Sequence, residues 1–140
     1  MFLKSLSPTH CIIAGMLMLI SCSSEDTPRP KPEIILNPYN IHHESISGKV
    51  IGINAFDNNL AVYVSLNDEW FSVPGVQNQL IYLKEDASWN CQMGNYIGQP
   101  VDKISIYLIP KGYQPPLLSG ENLIPVKLNL IAPARKSIIL

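Results

Sequence analysis

Lys103-Ile104-Ser105-Ile106-Tyr107-Leu108-Ile109-Pro110-Lys111-Gly112 decides the fold class. Ile104, Ile106 and Leu108 recur every second residue, the period of a β-strand with one face turned to a core. Pro110 lacks the N–H that continued pairing needs, and Lys111-Gly112 supplies turn chemistry, so the run stops there. The same grammar extends in both directions. Ser88-Trp89-Asn90-Cys91-Gln92-Met93 alternates Trp89, Cys91 and Met93 on one face, and Glu85-Asp86-Ala87 precedes it as a turn. Further strands are predicted at about 33–36, 45–53, 60–67, 80–84, 124–128 and 136–140, with Asp57-Asn58-Asn59 as another separator.

Short strands divided by turn residues, with no run of ten or more residues holding helical spacing beyond the N-terminal segment, point to an all-β domain with minimal helix. Seven to eight strands in about 105 residues fit an immunoglobulin-like antiparallel β-sandwich, in which two sheets face each other across one core. A small closed barrel is the structural alternative. The inward positions expected are Ile46, Val50, Val62, Val64, Leu83, Trp89, Cys91, Ile104, Ile106 and Leu108.

The N-terminal quarter has different chemistry. Lys4 supplies a positive start and residues 11–20 an apolar stretch of about ten residues, half the roughly 20 that a bilayer-spanning helix requires, so the segment is expected to be an export signal that is removed. Leu19-Ile20-Ser21-Cys22 resembles the lipobox of bacterial lipoproteins. That resemblance implies a signal peptide over 1–21, with diacylglycerol on the Cys22 sulfur and cleavage ahead of it. Two or more acyl chains, at about 0.8 kcal/mol per buried CH2, hold a protein stably on a membrane. Residues 22–33, with Pro28, Pro30 and Pro32 and few apolar side chains, read as a spacer. Its Glu25-Asp26 pair resembles a surface-export signal carried by some bacterial lipoproteins. The expected location is the cell envelope, lipid-anchored, at the outer membrane. The domain then spans 34–140, enough for one compact core.

Composition excludes several function classes. Ten Lys and Arg against eleven Asp and Glu give a formal net charge of −1, so no field draws nucleic acid. Cys11 leaves with the signal and Cys22 takes lipid, which strands Cys91 without a disulfide partner. Its alternating neighbours make Cys91 a core residue rather than a nucleophile. His42-His43-Glu44 is the nearest approach to a metal site, but consecutive residues on an extended chain point to opposite faces. Asp57, Asp68, Glu69, Glu85 and Asp86 all fall in expected turns, where carboxylates serve local hydrogen bonds and solubility. No catalytic constellation, cofactor motif or phosphate loop is present in the sequence, so a non-enzymatic role is expected.

From Tyr39 onward the succession Ser47-Gly48-Lys49-Val50-Ile51-Gly52, Ala61-Val62-Tyr63-Val64, Trp70-Phe71-Ser72-Val73-Pro74, Asp86-Ala87-Ser88-Trp89-Asn90-Cys91 and Leu108-Ile109-Pro110-Lys111-Gly112-Tyr113-Gln114-Pro115-Pro116 resembles an immunoglobulin-like module of bacterial extracellular proteins and lipoproteins. That module also occurs beside glycoside hydrolase domains. The chain departs from its pattern at Phe71, where a second tryptophan is usual, at Val73 for a lysine, and at Ala87 for a glycine. The first two departures bear on binding and the third on turn geometry. Trp70, Phe71 and Tyr113 are the candidate ligand-binding residues, since a flat exposed ring can stack on a sugar face while neighbouring acids accept hydroxyl hydrogen bonds. The expected partners are the membrane, through the lipid on Cys22, and a polysaccharide. An envelope protein packed on the sandwich is the alternative.

Overall fold

The computed structural model describes residues 27–74 and 80–140; the expected signal segment, Cys22 and the Glu25-Asp26 pair lie outside the described residues. Among the described residues nine strands form two antiparallel sheets. β1 (Glu33–Leu36), β2 (Ser45–Ile51) and β6 (Ser88–Gln92) pair in the order β1-β2-β6. The larger sheet runs β8-β4-β3-β7-β9, built from β3 (Asn58–Leu66), β4 (Glu69–Val73), β7 (Lys103–Pro110), β8 (Ser119–Glu121) and β9 (Ala134–Ile139). The short β5 (Ile81–Tyr82) pairs with the start of β3. One sheet joining the first, second and sixth strands, and another joining the fourth, third, seventh and ninth, follow the A-B-E and C′-C-F-G order of the immunoglobulin sandwich.

The inner core lies where alternation places it. Ile34, Ile46 and Val50 from the smaller sheet meet Leu60, Val62, Val64, Ile104, Ile106 and Leu108 from the larger, with Trp89, Cys91 and Met93 filling the interior. Leu83 packs against this cluster only partly buried. Burial pushes the Cys91 thiol from its ordinary value near 9.0 up to about 12, and burial likewise raises the phenols of Tyr39, Tyr63, Tyr96 and Tyr107. Each group stays neutral in the fold and loses its proton first in the unfolded chain. Stability is therefore full below about pH 9 and falls as pH rises beyond it. Urea titrations at pH 8 and pH 10.5 should give a lower unfolding free energy at the higher pH, and Cys91 should resist thiol reagents at pH 8 until denaturant is added. Rapid labelling of the native chain would contradict this burial.

The buried side chains form two clusters rather than one core. Ala61, Tyr63, Tyr107 and Ile109 occupy the other face of β3 and β7, and they are covered by Leu118 and by Leu128 from a helix, α1 (Val126–Ile131). The Tyr63 and Tyr107 rings meet edge to face with centroids 6.0 Å apart. Tyr63 Oη donates to the Pro116 carbonyl at 2.8 Å, which pins the covering chain to the sheet. The strand expected at 124–128 is thus corrected to a helix. Ile124 and Leu128, at i and i+4, turn toward the outer cluster, but a six-residue helix is too short for a helical period to stand out.

Two strands went unanticipated, β4 and β8. Asn67 and Asp68 join β3 to β4 in a two-residue loop with φ of 51° and 63°, the positive values of a type I′ hairpin turn, and Leu66 pairs with Glu69 across it. Ala87 also has positive φ, 62°, in the turn before β6. That conformation costs an L-residue roughly 1–2 kcal/mol and costs glycine nothing, while the nearly buried methyl returns about 0.8 kcal/mol. Ala87→Gly is expected to stabilise the fold by roughly 0.5 kcal/mol. Urea titration checks it, and a loss of stability would show that the methyl's packing outweighs the backbone.

Candidate functional site

Trp70 and Phe71 follow the hairpin turn, and strand geometry sends their side chains to opposite faces of β4. Both are half-buried. Phe71 packs against the inner core, its ring 6.0 Å from that of Tyr96. Trp70 packs against the outer cluster, as does half-buried Tyr113. Tyr113 lies just beyond β7, with its N–H donating to Pro110 O at 3.1 Å. The fold therefore puts two of the three candidate rings on the outer layer and turns the third away from them. On that layer they are not neighbours in the sheet: Trp70 is opposite Ser65, near the far end of β3, whereas Tyr113 follows the strand end opposite Asn58.

The local structure that frames Trp70 comes from β8. Trp70 is the cross-strand partner of Glu121, and Phe71 of Ser119, with a register shift between the two pairs. Ser72 fastens this edge twice, since its N–H donates to Leu118 O at 2.8 Å and its hydroxyl accepts from Leu118 N at 2.9 Å. Gly120 sits in the irregularity at φ 116°, a conformation open to glycine. A Cβ there would lie 3.6 Å from a Glu69 carboxylate oxygen and 3.7 Å from the Phe71 ring. Glu69 and Phe71 thus share one side of the edge. Trp70 shares the other with Glu121, whose carboxylate accepts from Ser119 N. Sequence reasoning missed Glu121, because a pairing about fifty residues away through a bulge leaves no local signal.

The remaining polar candidates are engaged locally. Asn40 accepts from His42 N at 2.9 Å and its amide lies 3.1 Å from His43 Nε2, while the His43 ring stands edge-on to Tyr39. Among the described residues no group of three His, Cys, Asp or Glu is placed to hold a metal. Asp86 accepts from both the hydroxyl and the N–H of Ser88, and these bonds hold its carboxyl below the usual range. Compared with known proteins, the chain matches no family model, no curated protein and no solved structure.

Proposed function

We propose that the chain is a non-catalytic envelope lipoprotein, tethered through lipid on Cys22, whose sandwich binds carbohydrate at Trp70. The observation that carries this reading is the pairing of a partly exposed indole on β4 with an exposed carboxylate, Glu121, on the neighbouring edge strand β8. An indole face stacks on the C–H face of a pyranose ring. Glu121 spends part of its acceptor capacity on Ser119 N and keeps lone pairs for sugar hydroxyls. Phe71 and Tyr113 serve this site indirectly, Phe71 by seating β4 on the inner core and Tyr113 by anchoring the covering chain.

Trp70→Ala should cut retention on immobilised polysaccharide at least tenfold. It should cost the fold about 2 kcal/mol, less than the roughly 3–5 kcal/mol of a fully buried tryptophan, since part of the ring is exposed. Affinity electrophoresis paired with urea unfolding reads both quantities. Full retention by the variant, or collapse of the fold with it, would remove Trp70 from the binding role. A second reading, packing against an envelope protein, draws on β9. It is an outer strand of the larger sheet, pairing with β7 among the described residues, and Ile139 on it is 82% exposed. A chain that stays monomeric and retains nothing from envelope extracts would count against that alternative.

A further inference from the structure

One end of the sandwich is unlike the other. β1 begins there, opposite the end of β2; the 52–57 connection leads to the start of β3; and β7 ends where β9 begins. The chain arriving from the spacer runs along this end so closely that a Cβ on Gly52 would fall 2.8 Å from Lys31 O. Lys31, Pro32 and Glu33 then form one side of a groove of about 590 Å³, whose other side is Asn129 of α1 and residues 132–135. Residues 31–33, which lead into β1, and helix α1 therefore meet at the same place.

Large apolar side chains face water here, as Ile139 does at the opposite end. Phe56, in the short 3-10 turn ahead of β3, is 64% exposed, and Tyr82 on β5 is 68% exposed. On α1, whose single buried residue is Leu128, Val126 and Leu130 lie one turn apart and are both mostly exposed. Lys31 and Arg135 line the groove beside them, with Glu33 as its one acid. Asp57, Glu85 and Asp86 are near the same end, so charge alone selects no partner. Apolar exposure together with the tether does. Lys31 is nine residue steps beyond Cys22, and an extended chain of that length reaches about 32 Å at most.

We infer that this end of the sandwich docks on the bilayer that holds the anchor, with Phe56, Tyr82 and Leu130 at the headgroup–acyl boundary and Lys31 and Arg135 at lipid phosphates. The inference rests on the lipid tether proposed above. Aromatic and aliphatic side chains backed by basic ones are the composition that lies in a membrane interface rather than across it. The tether keeps the surface within reach, so a patch too small to bind from solution is held in place by effective concentration. Docking here orients the sandwich and turns the Asn67-Asp68 hairpin, with Trp70 beside it, away from the lipid.

The test uses the full chain, purified from bacterial membranes and reconstituted into vesicles of phosphatidylethanolamine and phosphatidylglycerol. An environment-sensitive fluorophore is placed at Leu130→Cys or Phe56→Cys, and at Gln92→Cys on the opposite end as reference; buried Cys91 stays unlabelled. Nitroxide lipids should quench the probes at 130 and 56 at least threefold more than the probe at 92. Equal quenching at all three sites in protein that floats with the vesicles overturns the docking and leaves the tether standing. Protein that does not float overturns the tether and the docking together. A probe at 130 that is shielded by an added envelope protein, and not by vesicles, overturns the bilayer as the occupant.

Discussion

Gly48→Ala should destabilise the domain by about 3 kcal/mol or more and lower its Tm by over about 10 °C, the largest effect expected of any single added methyl group. Gly48 lies in the central strand of the smaller sheet, paired with Leu36 on one side and Trp89 on the other. A Cβ there would sit 2.0 Å from the Ile35 carbonyl oxygen and 3.1 Å from the Trp89 ring. The oxygen belongs to the β1 backbone and cannot rotate away, so the methyl must push β1 off β2 or displace the indole that fills the inner core. Ser47→Ala, next in the strand, removes only an exposed bond from Asn37 Nδ2 to the hydroxyl and should cost a few tenths of a kcal/mol. Thermal unfolding of the two variants separates the cases. A Gly48→Ala protein as stable as Ser47→Ala would mean that β1 does not approach β2 as described.

Leu128→Ala should cost about 3 kcal/mol, because Leu128 is fully buried and is the only α1 side chain that reaches the outer cluster. The loss should be regional. With the leucine truncated, α1 is left to the exposed bond from Arg135 Nη1 to Asn129 Oδ1, and the covering chain to the Tyr63 bond to Pro116 O and the Ser72 contacts with Leu118. Hydrogen exchange should therefore speed up over residues 113–133, while β2 and β6 on the far sheet keep their protection. A cost below about 1 kcal/mol, with exchange unchanged, would show that α1 merely rests on the sheet.

These variants mark where the fold was legible in the sequence and where it was not. Strands such as β7 and β6 announce themselves, because a core on one side imposes alternation on Ile104, Ile106 and Leu108 and on Trp89 and Cys91. The second core is concealed by the same pattern. Tyr107 and Ser105 occupy the positions that an exposed face would give to polar residues, yet both are buried, since Tyr and Ser are compatible with water or with cover. Only the apolar run at 123–131 hinted at a covering element, and six helical residues carry too little period to be told from a strand. β4 was hidden by its adjacent aromatics, although Asn67-Asp68 between Leu66 and Glu69 is hairpin chemistry that local reading can find.

The candidate site was legible as single residues and not as an arrangement. Residue type picked out Trp70, and strand geometry required Trp70 and Phe71 to part. The Glu121 partner arises from a β4–β8 pairing that nothing in the sequence near Trp70 foretells. Tyr113 shares the outer layer with Trp70 through the run of chain from 113 to 118, a path fixed by tertiary bonds to Tyr63 and Ser72.

Carbohydrate capture at the envelope and docking of the spacer-proximal end both depend on one claim, that the sandwich is held at a membrane through Cys22. Intact-mass spectrometry of the chain recovered from the membranes of a host with lipoprotein-processing enzymes tests it directly. The mass should correspond to residues 22–140 plus a diacylglyceryl group, with or without a further acyl chain on the new N-terminus. A polypeptide that begins elsewhere, or that begins at Cys22 without lipid, would contradict the account.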